Sequence, residues 1–211
     1  MRLTTDRATS DNLTIDNSTA TQPVDNTTLT DQLKYATRDV HQRLHGHPMT
    51  ALLLSPTLSH DYYIRLLRAF YGFYTALESS VPRYRSSSRV AWLRQDLYYF
   101  GNSKQPLLCC DIPVIRGHAA LLGCWYVVEG SSLGSASIYR HLHKHLGLSA
   151  ANGARFFFAY GQDTGANWRE LKTLINSALL SHREQQQTIN TAMQLFSCLE
   201  QWLSDCYGEP L

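Results

Sequence analysis

The sequence has no long apolar run, no strong excess of either charge and no regular spacing among its cysteines. No stretch reaches the roughly 18 consecutive apolar residues that a membrane-spanning helix needs, and the first residues lack the apolar core of a secretory signal. The formal net charge is +2, with 19 basic and 17 acidic residues scattered along the chain, so no basic surface for nucleic acid is predicted. These absences argue against a membrane span and favour a cytoplasmic location.

Five cysteines occur, and their positions suggest neither a metal site nor a disulfide framework. Structural zinc sites take their ligands from pairs at short, regular spacings, which this sequence lacks. Cys109 and Cys110 are adjacent and poorly placed to form a bridge. We therefore expect reduced thiols, as in a protein of the cytoplasm.

The chain divides into a polar N-terminal tail and one helical domain. Residues 1–29 are rich in Thr, Asn, Asp and Ser without apolar periodicity, so a disordered tail is expected. Over residues 30–211 apolar residues recur at helical spacing, and strand patterns are absent. The prediction is an all-α, single-domain bundle of six to eight helices around one core.

Capping signals set the expected ends of these helices. Thr30 or Asp31 can cap the first helix, which runs to about Leu44. Pro113 opens the fourth, which extends through a Gly/Ser-rich stretch to Leu146. The other predicted helices cover residues 60–79, 89–100, 154–160, 167–180 and 181–207.

The Gly/Ser-rich stretch, residues 127–137, lies between two strongly apolar helical runs. Gly130 and Gly134 lie one turn apart on one face, although an interior glycine costs roughly 0.5–1 kcal/mol relative to alanine. The serine hydroxyls beside them can bond back to helix carbonyls and bend the helix. Two interpretations stay open: a tight crossing of two helices, or a surface on which a flat molecule approaches the backbone.

His41 is the second candidate for chemistry. It lies on the first helix beside Thr37 and Leu44, on the face expected to point inward. A histidine in such a place is more often a hydrogen-bonded core residue than a ligand. Haem iron, however, is held by a neutral imidazole projected from a rigid helix, and a glycine-lined helix opposite would leave room for a gas ligand. Together His41 and the glycines predict a sandwich around haem.

A pair of histidines near the end of the fourth helix is the competing arrangement. His141 and His145 are four residues apart on one helix face and could grip a metal ion together. No third ligand lies nearby in the sequence, so the alternative is a solvated helix end.

Four segments of the chain resemble the haem oxygenase family. Residues 33–41 read LKYATRDVH and resemble the helix that ends in the proximal iron ligand, and residues 128–134, VEGSSLG, resemble the distal helix of bacterial members. Residues 66–74, LLRAFYGFY, and 157–169, FFAYGQDTGANWR, resemble the bacteriophytochrome-associated type in particular. The segments occur in the family's order, and the resemblance covers about residues 31–205.

The resemblance implies an enzyme that opens haem, both its substrate and its cofactor, to biliverdin, CO and ferrous iron. O₂ and electrons from an external reductase or ferredoxin would be consumed, and a bilin-binding photoreceptor would be one recipient of the product. The site residues implied are His41 as the metal ligand, Gly130, Ser131 and Gly134 as catalytic residues on the oxygen side, with the two glycines also contacting haem, and Lys34 and Arg169 for the haem carboxylates.

Two positions depart from the family's pattern. His45 stands where some members carry a glutamate one turn after the ligand, and a neutral or cationic neighbour makes His41 a weaker donor. Ser135 stands where glycine or alanine is frequent, and it is slightly bulkier. Lys34 and Arg169 can also be read as solvated surface charges. The alternative to an enzyme is a non-catalytic helical domain of the same superfamily that binds haem or a bilin.

Overall fold

Helices joined by loops make up the fold. The structure is a computed structural model that describes residues 27–86 and 88–208. Residues 1–26 of the predicted tail, which was expected to extend to residue 29, lie outside the described residues and stay a prediction, whereas Leu29 already belongs to the first helix. The helices of this part are α1 (Leu29–Gly46), α2 (Pro48–Ala51), α3 (His60–Ser80), α4 (Arg89–Tyr99), α5 (Gly117–Gly130), α6 (Ser135–Leu146), α7 (Arg155–Phe158), α8 (Thr164–Ser177) and α9 (His182–Gly208). Seven of them have at least eleven residues, and no strand occurs among the described residues. The predicted all-α bundle is confirmed.

A reciprocal cap fixes the start of α1. The Thr28 hydroxyl accepts a hydrogen bond from the Asp31 amide at 3.2 Å, and the Asp31 carboxylate accepts one from the Thr28 amide at 3.3 Å. This capping box satisfies two donors that the first turn of a helix leaves without partners. The predicted cap, Thr30 or Asp31, is therefore wrong by two or three residues.

α9 is the central support of the core. It packs against α1, α3 and α5, and α3 packs in turn against α4. Its inward residues recur at helical spacing and are buried, among them Ile189, Ala192, Leu195, Phe196 and Leu203. Because α1 and α5 pack on the same helix, α9 sets the distance between the two elements that carry the candidate residues.

The tightest approaches to a helix backbone lie at Gly72 and Gly123. A Cβ added at Gly123 of α5 would overlap the carbonyl oxygen of Thr188 on α9, and one at Gly72 of α3 would overlap the carbonyl oxygen of Leu107. A Cβ at Gly134 would meet no atom within 4 Å. Close crossing of two helices is therefore the role of Gly123, and Gly134 serves another purpose.

The Gly/Ser-rich stretch breaks the fourth predicted helix in two. We predicted one kinked helix over residues 113–146, whereas α5 begins only at Gly117 and ends at Gly130, and α6 begins at Ser135. Residues 131–134 form a turn between them, called the distal turn below. Within it the amides bond to carbonyls three residues back, Ser132 to Glu129, Leu133 to Gly130 and Ser135 to Ser132. The interruption is where the glycines predicted it, and it separates two helices where one kinked helix was expected.

The described helices are too short or too polar for any of them to cross a membrane. The five cysteines are free thiols, and the sulfurs of Cys109 and Cys198 lie 3.7 Å apart, joined by a hydrogen bond rather than a disulfide.

Candidate functional site

Serine hydroxyls in and beside the distal turn bond back to the main chain. The Ser131 hydroxyl donates to the Val128 carbonyl at 2.7 Å, and the Ser135 hydroxyl donates to the Ser132 carbonyl at 2.5 Å. These are the bonds expected from the sequence, and they satisfy carbonyls near the helix break. The exposed residues of the turn, which include Ser131 and Gly134, carry no acidic group.

Gly130 and Gly134 have different surroundings. Gly134 is exposed, with open space where a side chain would stand. At Gly130 a Cβ would lie 3.4 Å from the indole of Trp168 on α8, and that indole packs on Tyr126 with ring centroids 5.3 Å apart. Only Gly134 therefore has the open surroundings that we expected of both glycines.

His41 projects from α1 and is exposed, although its neighbours Val40 and Leu44 are buried. It lies at the edge of the inward face rather than within it. Its ring is edge-on to the ring of His45 at 4.6 Å and to that of Phe196 on α9 at 5.9 Å between centroids. Partial burial lowers the pKa of His41, and the charge of His45 lowers it further. The imidazole is therefore neutral at pH 7 and keeps a lone pair for a metal.

The packing of α1 and α5 relates His41 to the glycines. Burial raises the pKa of Tyr126 on α5, and Thr37 of α1 is near enough to act on it in the opposite direction. His41 follows Thr37 by one turn, and Gly130 follows Tyr126 by one turn. Both helices also pack on α8 and α9. His41 and the end of α5 therefore belong to one region of the molecule.

The predicted cations Lys34 and Arg169 are exposed on helices that touch each other. α1 and α8 are joined where Asn176 accepts a hydrogen bond from the Thr30 amide and donates one to the Thr30 hydroxyl, both at 3.0 Å. This pair of bonds holds the N-terminal half of α1, which carries Lys34, against the helix that carries Arg169.

Lys172, one turn after Arg169 on α8, is a third cation that the sequence did not single out. Hydrogen bonds from Thr28 lower the pKa of Asp31 most, and the charges of Lys172 and Lys34 lower it further. Lys34, Arg169 and Lys172 therefore lie on two helices in contact, and cations of this kind suit an anionic ligand.

The competing histidine pair lacks the third ligand that a metal site needs. The rings of His141 and His145 are stacked with centroids 4.1 Å apart, and a ring nitrogen of His141 lies 2.9 Å from the Ser55 carbonyl oxygen. Over residues 27–86 and 88–208, no group of three His, Cys, Asp or Glu side chains could hold a metal ion.

A buried ion pair lies behind the distal turn. Arg89 and Glu129 are 2% and 7% exposed, and Arg89 Nη2 lies 3.1 Å from Glu129 Oε2. The Tyr160 hydroxyl stands between them, 3.4 Å from Arg89 Nη1 and 3.3 Å from Glu129 Oε1. Burial is the largest influence on the pKa of Arg89 and lowers it, but Glu129, Tyr160 and Tyr74 together outweigh burial, so the pKa is raised. A lone glutamate in an apolar helix signals a buried cation, yet nothing in the sequence identified Arg89 as its partner.

Comparison with known proteins identifies the family. The family model described as heme oxygenase matches residues 27–205. The chain belongs to the haem oxygenase family. A heme oxygenase from Xanthomonas campestris pv. campestris is 33% identical to it over 110 residues, 52% of this chain. That match spans 63% of the relative's length. The bacteriophytochrome-associated type stays a prediction.

Solved haem oxygenases share the fold. The enzyme from Neisseria meningitidis, known in NO- and CO-bound forms, superposes with a TM-score of 0.67 at 24% identity, covering 87% of this chain and 94% of that one. The heme oxygenase of Leptospira interrogans superposes with a TM-score of 0.70 at 21% identity, covering 84% of this chain and 99% of that one. At such identities the likeness concerns the fold, and the chemistry has to be argued from the residues.

Proposed function

We propose that this member of the haem oxygenase family binds haem through His41 and converts it to biliverdin, CO and ferrous iron. The observation that carries the proposal is that α1, which bears His41, and α5, which ends at Gly130, both pack on α8 and α9. Haem fits the residues present, since it needs one neutral nitrogen ligand and a surface of small residues.

The proposed roles follow from the state of each side chain. The neutral His41 offers a ring nitrogen to the iron, and Phe196 beside it restricts how the imidazole can turn. Bound haem supplies both the iron that activates O₂ and the ring carbon that is oxidised. Gly134 keeps the space beside the turn open for O₂. Ser131, whose hydroxyl bonds to a carbonyl, adds no acid that would compete for the oxygen.

Lys34, Arg169 and Lys172 would hold the haem carboxylates. They lie on two helices in contact, and the amines of Lys34 and Lys172 both act on Asp31. Charge-assisted bonds from these cations would fix the orientation of the macrocycle and hence the ring edge that faces the distal turn.

Ring opening consumes O₂ and electrons, and we propose that an external reductase or ferredoxin supplies the electrons. The resemblance suggests that the biliverdin formed is passed to a bilin-binding photoreceptor.

The test is to mix the purified chain with hemin, add ascorbate or a reductase under air, and record the optical spectrum. The expected result is a Soret band that decays as a bilin spectrum appears, with biliverdin identified by chromatography. A stable Soret band without any bilin would favour the non-catalytic haem-binding alternative. Failure of hemin to give a Soret band with imidazole ligation would contradict the proposal altogether.

A further inference from the structure

We propose that Arg89 is a positioning residue that holds the distal turn in place for haem oxidation. This inference rests on the proposed function for its consequence, although the contacts that carry it belong to the protein alone. They are made where α5 ends, at Gly130, and where the turn begins.

Arg89 supplies a donor that the broken helix lacks. In a continuous helix the Ser132 amide would bond to the Val128 carbonyl, but here it donates to the Glu129 carbonyl at 3.1 Å. The Val128 carbonyl instead accepts from the Ser131 hydroxyl at 2.7 Å and from Arg89 Nη2 at 3.2 Å. A buried cation at this position also complements the negative end of the helix.

One guanidinium nitrogen joins the two sides of the break. Arg89 Nη2 lies 3.2 Å from the Val128 carbonyl, 3.1 Å from the Glu129 carboxylate and 2.9 Å from the Ser132 hydroxyl, so its two N–H groups are shared among three acceptors. Two of these acceptors belong to α5, and the third belongs to the distal turn. Because the site is buried, such charged hydrogen bonds resist displacement by water.

Arg89 is itself held in place from several directions. Its amide begins α4 and donates to the Glu78 carboxylate at 2.6 Å. Its guanidinium stacks over the Trp92 ring, 4.6 Å from the centroid, and over the Tyr160 ring at 5.2 Å. The turn is thus tied to α4, an element that carries none of the proposed haem ligands.

A strained residue supports this arrangement. Ala159, immediately before Tyr160, has φ of +48°, a region that favours glycine. Arg155 Nη1 donates to the Ala159 carbonyl at 2.5 Å and so holds the strained peptide. Holding a non-glycine residue in this conformation costs on the order of 1 kcal/mol or more. The cost is consistent with a requirement for the Tyr160 hydroxyl between Arg89 and Glu129.

The test compares three variants with a control. Ser132→Ala removes the bond to the turn and leaves both charges paired. Arg89→Met removes the cation and leaves the buried Glu129 carboxylate without its ion-pair partner. Arg89→Met combined with Glu129→Leu removes both charges, which commonly restores stability to a protein with a buried ion pair. Arg94→Met, at an exposed arginine of the same helix, is the control.

Two measurements separate positioning from stability. Amide hydrogen exchange at residues 131–135 is recorded on the protein without haem, alongside its thermal midpoint. We expect exchange about tenfold faster in Ser132→Ala and in the double variant, the factor expected for losing one charged hydrogen bond. We also expect the double variant to have a thermal midpoint close to wild type. The control should match wild type in both measurements.

The haem complex provides the second readout. The C–O stretching band of added carbon monoxide should broaden or split in Ser132→Ala and in the double variant, and the ratio of biliverdin isomers should change. Wild-type exchange, a wild-type C–O band and a wild-type isomer ratio in both variants would overturn the proposal. If wild-type protein forms no biliverdin, the proposed function fails, while the exchange data and the C–O band still decide whether Arg89 positions the turn.

Discussion

The proximal helix α1 and the distal segment formed by α5, the distal turn and α6 reach their places by different means. The start of α1 is fixed by Thr28 and Asp31, three residues apart in the sequence. The break between α5 and α6 depends on Arg89, 40 residues from Glu129, and on Tyr160, 31 residues from it. The start of α1 is therefore defined by local interactions, and the break between α5 and α6 by contacts between distant parts of the chain.

This difference implies that the two sides respond differently to substitution. Local caps and apolar contacts contribute separately to the free energy of unfolding, so the losses caused by substituting two of them should add. The members of a buried charged network depend on one another, so their losses should not add. The predictions below test the contrast, beginning with the largest expected effect.

The largest effect is expected from His41→Ala on the proximal side. The variant should fold normally, because His41 is exposed and makes only ring contacts with His45 and Phe196. Haem should lose imidazole ligation, and conversion to biliverdin should fall below detection. Resonance Raman and optical spectra with a turnover assay measure both. His118→Ala, at an exposed histidine of α5, is the control. Normal ligation in His41→Ala together with its loss in His45→Ala would show that the ligand is one turn further on.

On the distal segment, substitutions at Gly123 should affect the stability of the fold, whereas substitutions at Gly134 should affect haem turnover. Gly123→Ala forces a Cβ against the Thr188 carbonyl and should lower the free energy of unfolding by about 3 kcal/mol. Gly134→Ala should leave stability unchanged or slightly higher, because its surroundings are open and its backbone is helical. Gly134→Leu should also fold, yet it should turn haem over much more slowly. Chemical denaturation and the turnover assay measure these effects. Equal stability losses at the two positions would contradict the contrast.

Local features of the helices could be predicted in large part from the sequence. The helical periodicity of α3 and its N-cap, Ser59, are as expected, and the Ser59 hydroxyl accepts a bond from the Tyr62 amide at 3.2 Å. Such signals act over a few residues, so a window of sequence contains them. The prediction that His41 points inward was less accurate. A residue at the edge of the apolar face of a helix can be either buried or exposed.

The distal side could be predicted only in part. The glycines and serines predicted where the helix is interrupted. Whether it bends or breaks depends on the carbonyl to which the Ser132 amide donates and on the bond from Arg89 to the Ser132 hydroxyl. Trp168, which fills the space beside Gly130, comes from another helix. Pairings of this kind are set by the packing of whole helices, and a single sequence does not contain them in any short segment.

An effect of similar size, also on the distal side, should depend on pH. Asp96 is buried and accepts bonds from the amides of Arg155 and Phe156 at 2.7 and 2.8 Å, at the start of the segment that leads to Tyr160. Burial raises the pKa of Asp96 to about 6, against an ordinary value of 3.8, despite those two bonds. The folded state therefore binds the proton more tightly than the unfolded state does.

The contribution of this proton to stability is complete below pH 3.8, is lost as the pH rises to about 6, and stays lost above that. The loss is on the order of 3 kcal/mol. Asp96→Asn should remove this dependence, so its free energy of unfolding relative to wild type should shift between pH 4 and pH 7. Denaturation of both proteins across that range measures the shift, and parallel curves would contradict the assignment.

The smallest effect is expected from the cap of α1. Thr28→Ala removes the hydroxyl that accepts from the Asp31 amide and should lower the free energy of unfolding by about 1 kcal/mol. The loss should be the same in the wild-type background and in Arg89→Met combined with Glu129→Leu, because a local cap shares no partner with the distal network. A double-mutant cycle from denaturation curves measures the coupling. Thr57→Ala, at an exposed threonine outside the helices, is the control. A coupling well above about 0.5 kcal/mol would show that the two sides are not independent.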